Sequence, residues 1–359
     1  LEIGLEFLFE YGLFFAKTVT FVVALVVVLS LLVGASQKSK QSHGAGHLEI
    51  TSLNPQFEDI KETMLLAMTD ESQQKDQEKK LAKKKKKQKT EAKKALKIST
   101  SATDEQRGKV FVLNFNGDIS ASEVNHLREE VTAVLTQATV RDEVVLRLES
   151  PGGMVHSYGL ASSQLDRLRK KNIPLTVCVD EVAASGGYMM ACVADKIFAA
   201  PFAIIGSIGV VAQIPNFNKI LKKNDVDFEM LTAGEYKRTL TVFGENTDEG
   251  RAKFIQDLEE THQLFKDFVS SRRPQVDIEK IATGEIWYGI KAQEVSLVDG
   301  IQTSDEYIVS RYDDADVFEV RYVIKKKLHE RIGLAAEGSI DRLFSKWWSR
   351  LTDRSNRHF

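Results

Sequence analysis

Ser185 stands in Ala183-Ala184-Ser185-Gly186-Gly187, shortly after the apolar run Leu175-Thr176-Val177-Cys178-Val179, whose composition predicts a buried strand. A serine on a tight glycine turn at the carboxyl end of a strand keeps its hydroxyl exposed, as an attacking nucleophile requires. A second apolar run, Val144-Val145-Leu146-Arg147-Leu148, ends in Ser150-Pro151-Gly152-Gly153. Two adjacent strands of one sheet then present glycine loops at the same edge, which brings a nucleophile together with backbone N–H donors. A lone serine among small residues is more often a helix cap or a close-packing position. It is the pairing of the two loops that points to chemistry.

A serine hydroxyl needs a base to take its proton as it attacks a carbonyl. Histidine is the commonest choice, but the seven histidines are scattered and none lies in the following glycine block, Gly206-Ser207-Ile208-Gly209-Val210. His156 is near the Ser150-Pro151-Gly152-Gly153 loop and is one candidate base; opening a predicted helix, its ring is as well suited to capping or to facing solvent. No histidine or cysteine spacing suits a metal, and no cofactor motif is present.

Four blocks together, Leu148-Glu149-Ser150-Pro151-Gly152-Gly153, Ala183-Ala184-Ser185-Gly186-Gly187-Tyr188, Gly206-Ser207-Ile208-Gly209-Val210 and Glu235-Tyr236-Lys237-Arg238, resemble the motif blocks of the SppA-type signal peptide peptidases. Among these the chain most resembles the SohB inner-membrane proteases, over roughly residues 106 to 312. The resemblance implies a serine–lysine dyad, with Ser185 as nucleophile, Lys237 as base, Ser207 orienting the lysine amine, and the N–H groups of Gly153 and Gly186 forming the oxyanion hole. Without it, Lys237 beside Arg238 would read as a surface lysine and Ser207 as a turn residue. A lysine amine serves as base only when neutral, a state that burial or dipoles favour. Glu149 departs from the asparagine that many SppA-type sequences carry before the serine, which leaves its local hydrogen bonding open. The resemblance also implies the crotonase/ClpP-like fold and a ring-shaped homo-oligomer of eight subunits, in which Lys237 completes a neighbour's Ser185 site.

The elements that must position these residues follow a βαβ pattern: strands at 109–115, 143–148 and 175–179 alternate with helices at 123–138, 155–171 and 185–194. This predicts an α/β architecture with a parallel sheet. Beyond it, 227–231 reads as a strand and 248–273 as a long helix with Phe254, Leu258, Phe265 and Val269 toward one face. The apolar stretch 189–217 is interrupted by Asp195, Lys196, Pro201 and two glycines, so it reads as core rather than a membrane span. Both cysteines, Cys178 and Cys192, lie in apolar context and read as core residues without a disulfide.

Thr18 to Ala35 is uncharged and apolar, and at about 1.5 Å per residue it is close to the length that spans a bilayer. Glu2, Glu6 and Glu10 precede it, the reverse of a cleavable leader's basic start, so an uncleaved N-terminal transmembrane helix is expected. Lys38 and Lys40 follow, and the positive-inside bias favours a cytoplasmic linker. Asn54-Pro55 then starts a short amphipathic helix through Phe57, Ile60, Met64 and Met68. Residues 75–97 are lysine-rich, with unbroken Lys83 to Lys87, and read as a solvated linker or as a hold on anionic lipid. With a net charge of -2 and no aromatics interleaved among those lysines, nucleic acid is not an expected partner. Trp347 and Trp348 in the basic tail suit either a membrane interface or a subunit contact.

The expected organisation is a membrane anchor over 1–35, a juxtamembrane helix and linker over 36–105, a serine peptidase domain over 106–312 and a basic tail over 313–359. The expected function is that of a single-pass bacterial inner-membrane serine endopeptidase acting on hydrophobic peptides such as signal peptides or damaged membrane proteins. A crotonase-fold acyl-CoA enzyme and a non-catalytic membrane scaffold are the competing readings; the exposed serine with a lysine partner argues against the first of these.

Overall fold

A computed structural model describes residues 12–23, 46–70, 83 and 107–324. In chain order the elements are β1 (His47–Ser52), α1 (Asn54–Ala67), β2 (Lys109–Asn116), α2 (Val124–Gln137), β3 (Glu143–Glu149), α3 (Val155–Arg169), β4 (Leu175–Val179), β5 (Val182–Ala184), α4 (Gly186–Ala191), β6 (Lys196–Ala199), β7 (Ile204–Gly206), α5 (Asn218–Lys223), α6 (Asp248–Arg272), α7 (Ile278–Ile281), β8 (Ile286–Tyr288), α8 (Gly289–Glu294), β9 (Gly300–Ile301), α9 (Ser304–Tyr312) and β10 (Asp316–Val323).

Seven strands form one sheet in the order β1-β10-β2-β3-β4-β6-β9, and from β10 to β9 every pairing is parallel. The period-two alternation of the strands divides their side chains between two cores. Phe111, Leu113 and Phe115 of β2 and Val144, Leu146 and Leu148 of β3 face the larger core, where α2 adds Leu127 and Val131 and α3 adds Leu165 and Leu168. Val110, Val112, Val145 and Cys178 face the smaller one, closed by Ile308 of α9, Val317 of β10, and Leu53 and Phe57 at the start of α1. Burial on both faces explains why these strands read as continuous apolar runs. Cys192 lies in the larger core, across the sheet from Cys178; both are free, and burial pushes each thiol up to about 12.

A second sheet, β5-β7-β8, carries the site. β5 pairs parallel with β7, and β7 antiparallel with β8. It joins the large sheet through a parallel bridge between Ser150, just past β3, and Ala183 in β5.

The parallel α/β expectation holds, as do the long helix after Asp248 and the helix that begins at Asn54. Asn54 docks that helix on β10: its side-chain N–H donates to the Ala315 carbonyl at 3.0 Å, and its oxygen accepts from Val317 N–H at 2.7 Å. The compact unit Leu48–Val323 contains the expected catalytic segment 106–312 and also β1 from Leu48 onward, α1 and all of β10. The expected strand at 227–231 is absent: the segment has no regular structure, no strand pairs with it among the described residues, and its side chains are exposed throughout. Alternating apolar residues make a strand only where a ladder partner exists. The apolar stretch 189–217 resolves into the end of α4, then β6 and β7.

Residues 12–23 are helical with exposed side chains. Among the described residues no helix is long and apolar enough to cross a membrane. The expected span over 18–35 lies outside them from residue 24 onward, as do the bulk of the lysine-rich segment and the tail that holds Trp347 and Trp348.

Candidate active site

Ser185 caps α4 with φ 53° and ψ -117°. A side chain in that region is strained by about 1–3 kcal/mol and persists only where the surroundings over-determine it. Here they do. Ser185 N–H donates to the Gly206 carbonyl at 2.7 Å, its carbonyl accepts from Met189 N–H at 3.0 Å, and the strand before it is locked by Ala184 N–H on the Ser150 carbonyl at 3.0 Å. Strand, sharp turn and helix thus set Ser185 at the sheet edge, half-buried between buried neighbours on both sides.

The two glycine loops interlock. A Cβ on Gly152, which has φ 89°, would lie 2.7 Å from the Ala184 oxygen, the Gly186 nitrogen and the Ser185 Cβ; one on Gly187 would lie 2.5 Å from the Ser150 oxygen. Only glycine permits so close an approach. Along this loop Ser150 N–H donates to Val182 and Met154 N–H to Ile119, both to carbonyls at 2.8 Å, while Gly152 N–H donates to Ser150 Oγ at 3.1 Å. Pro151 has no N–H. Among the described residues the N–H groups of Gly153 and Gly186 have no acceptor, which leaves both expected oxyanion donors free, as are the first-turn N–H groups of Gly187 and Tyr188 behind them in α4.

Ser207 lies next to this turn. Because Ala184 pairs with Gly206, Ser185 and Ser207 are the first residues past the paired ends of adjacent strands. Lys237 is not brought to them within the chain: it is exposed in a segment without regular structure, its N–H donating to the Gly234 carbonyl at 3.2 Å, and no hydrogen bond or ion pair joins it to Ser185 or Ser207 among the described residues. His156, the alternative base, is exposed in the first turn of α3.

Two residues at this site escaped sequence reasoning in their roles. Glu149 ends β3, and its carboxylate accepts from the N–H groups of Asp180 at 3.0 Å, Glu181 at 3.1 Å and Val182 at 2.9 Å. It therefore clamps the β4–β5 connection, the stretch that aims Ser185. Burial pushes its carboxyl above the ordinary carboxylate range, against the opposing pull of those three N–H groups. Tyr158, fully buried in α3, bonds Ser150 Oγ at 2.6 Å and donates to the Asp118 carbonyl at 2.8 Å. The one sequence signal for either was a polar group set among core residues.

Comparison with known proteins decides the family. Two family models match: peptidase family S49 N-terminal over residues 6–165, and peptidase family S49 over residues 167–317. The chain belongs to peptidase family S49. It is 51% identical over 334 residues to the "Probable protease SohB" of Haemophilus influenzae, covering 93% of this chain and 94% of the relative. Its identity to the protein of the same description from Buchnera aphidicola subsp. Schlechtendalia chinensis is 52% over 308 residues, 86% of this chain and all of the relative, and to that of Buchnera aphidicola subsp. Acyrthosiphon pisum 48% over 327 residues, 91% and 93%. As an S49 chain it is a serine peptidase, and the turn at Ser185 is where its geometry fits that chemistry. The two family matches meet inside α3, a helix whose two ends bury side chains in one core.

Proposed function

We propose that this S49 peptidase is a membrane-anchored endopeptidase in which Ser185 attacks the scissile carbonyl, Lys237 removes the serine proton, Ser207 orients the lysine amine, and the Gly153 and Gly186 N–H groups hold the oxyanion. The observation that carries this reading is the Ser185 turn: a strained serine between two N–H donors that have no other acceptor. The hydroxyl adds to the carbonyl carbon, its proton passes to neutral Lys237, and the oxyanion that forms lies toward the two donors. Collapse of the tetrahedral intermediate expels the amine, which takes the proton from the lysine; water then releases the acyl group by the same steps. A largely parallel sheet joined at Ser150 and Ala183 to a small mixed sheet supports a crotonase/ClpP-like architecture.

The substrate is an apolar polypeptide segment, such as a signal peptide or an exposed stretch of a membrane protein. Ile119, Met154 and Val155 stand exposed at the Gly153 loop, an apolar rim beside the reacting atoms. The apolar run over residues 18–35 supports a bilayer anchor in the bacterial inner membrane, and Lys38 and Lys40 favour a cytoplasmic linker.

The catalytic assembly is a homo-oligomer, an octamer by family resemblance, with Lys237 reaching the Ser185 of a neighbour. Residues 211–243 include no buried side chain, although Val211, Phe217, Ile220, Phe228, Met230, Leu231 and Phe243 are among them. So much apolar surface on one segment suits a subunit contact. Mixing Ser185→Ala with Lys237→Ala chains tests this: each is inactive alone, and partial recovery on mixing is expected. A fully active monomer overturns the shared site. Labelling by a serine-reactive phosphonate, lost in Ser185→Ala, tests the nucleophile itself.

A further inference from the structure

The Tyr158 hydroxyl takes no part in the reaction just described, yet both supports of the Gly153 loop converge on it. A phenol hydroxyl has one hydrogen to donate. Tyr158 spends it on the Asp118 carbonyl at 2.8 Å, so Ser150 Oγ, 2.6 Å away, is the donor in the bond between the two hydroxyls. Ser150 Oγ keeps its lone pairs for Gly152 N–H at 3.1 Å. The chain therefore has one direction: Gly152 N–H to Ser150, Ser150 to Tyr158, Tyr158 to Asp118.

On the other flank, Met154 N–H donates to the carbonyl of Ile119, the residue after Asp118. A Cβ on Gly153 would lie 2.1 Å from that same Ile119 oxygen, so the loop is pressed directly on the turn that Tyr158 holds. Gly153 N–H is thus the one unpaired donor in a loop fastened on both sides through a single buried hydroxyl. The ring of Tyr158 also fills the space where Gly186 has no side chain, with a Cβ there falling 2.4 Å from the ring. Burial pushes the Tyr158 hydroxyl up, which keeps its hydrogen in place for the Asp118 carbonyl.

We propose that Tyr158 is a positioning residue for the peptidase reaction: through Ser150 on one side and the Asp118–Ile119 turn on the other, its hydroxyl sets the direction of the Gly153 N–H toward the substrate's carbonyl oxygen. The inference rests on Ser185 as nucleophile and Gly153 as donor. Misdirecting a donor weakens its hold on the oxyanion more than on the ground-state carbonyl, so the effect falls on kcat.

The test is steady-state cleavage of a fluorogenic apolar peptide by the full chain carrying Tyr158→Phe, Ser150→Ala, or both, with Ser185→Ala as control and thermal melting to establish folding. Each single variant is expected to lower kcat by about ten- to a hundredfold with KM within about twofold, and the double variant to lose no more than the worse single, because both act through one chain of bonds. Unchanged kcat in folded Tyr158→Phe, or losses that multiply in the double variant, overturns the proposal. If Tyr158→Phe does not fold, unchanged kcat in Ser150→Ala does the same. Activity retained by Ser185→Ala defeats the nucleophile assignment, an outcome separate from failure of the Tyr158 role alone.

Discussion

Ser185 and Ser207 sit side by side, one residue beyond the paired ends of β5 and β7, and both hold positive φ, 53° and 51°. Their backbones are fastened in opposite directions: Ser185 N–H donates to the Gly206 carbonyl and Ser207 N–H to the Glu285 carbonyl on β8's side, each at 2.7 Å. Two hydroxyl-bearing residues with positive φ thus end adjacent strands at one sheet edge.

That strain gives a stability signature. Ser185→Gly is expected to abolish activity and to be more stable than Ser185→Ala by about 1 kcal/mol, because glycine accepts φ 53° and ψ -117° without a Cβ. Chemical denaturation of the two inactive variants measures the difference, and equal midpoints with equal slopes would remove strain from the account.

Replacing the loop glycines should act on different terms. Gly153→Ala brings a Cβ to 2.1 Å from the Ile119 carbonyl oxygen, displacing the loop and its free N–H. Activity should fall by about a hundredfold or more, the scale on which one oxyanion donor is lost. Gly159→Ala, in the same region but with open space around it, should retain activity and serves as the matched control. Peptide cleavage assays on both, at equal folded concentration, decide it.

The identity of the base separates lysine from histidine. Lys237→Arg should be nearly as damaging as Lys237→Ala, since guanidinium stays protonated and cannot accept the serine proton, whereas His156→Ala should keep most activity. Comparison of kcat/KM across the three variants is the measurement. Retained activity in Lys237→Arg with loss in His156→Ala would hand the role to histidine.

Glu130 supplies a pH prediction remote from the chemistry. Buried on α2 against β10, it accepts from Tyr322 N–H at 2.8 Å, while its second oxygen has no partner among the described residues. Burial, foremost, raises its carboxyl from 4.5 to about 7. Because the folded value lies above the unfolded one, the stability it contributes is present below about 4.5 and is lost as pH rises through about 7. Glu130→Gln keeps an oxygen for Tyr322 and removes the titration, so it should stabilise the chain at pH 8 by about 1–3 kcal/mol and little at pH 4. Melting curves at the two pH values test the sign.

Local sequence determined the strands, the helices and the two glycine loops, since each depends on near neighbours: period-two apolar runs, the Asn54-Pro55 helix start, and glycines where no Cβ fits. The Ser185 turn was legible for that reason. The false strand at 227–231 shows the limit of the same signals, because a strand needs a partner and a single segment carries no information about one. Tertiary structure alone decided that β5 lies beside β7, which makes Ser185 and Ser207 neighbours, that Glu149 reaches across to the N–H groups of Asp180, Glu181 and Val182, and that Tyr158 gathers Ser150 and Asp118 onto one hydroxyl. Each of these joins residues far apart in the chain or on different elements. Hydrogen bonds of that kind are specified by the packing of the sheets and helices that carry them, and no spacing in the sequence encodes them.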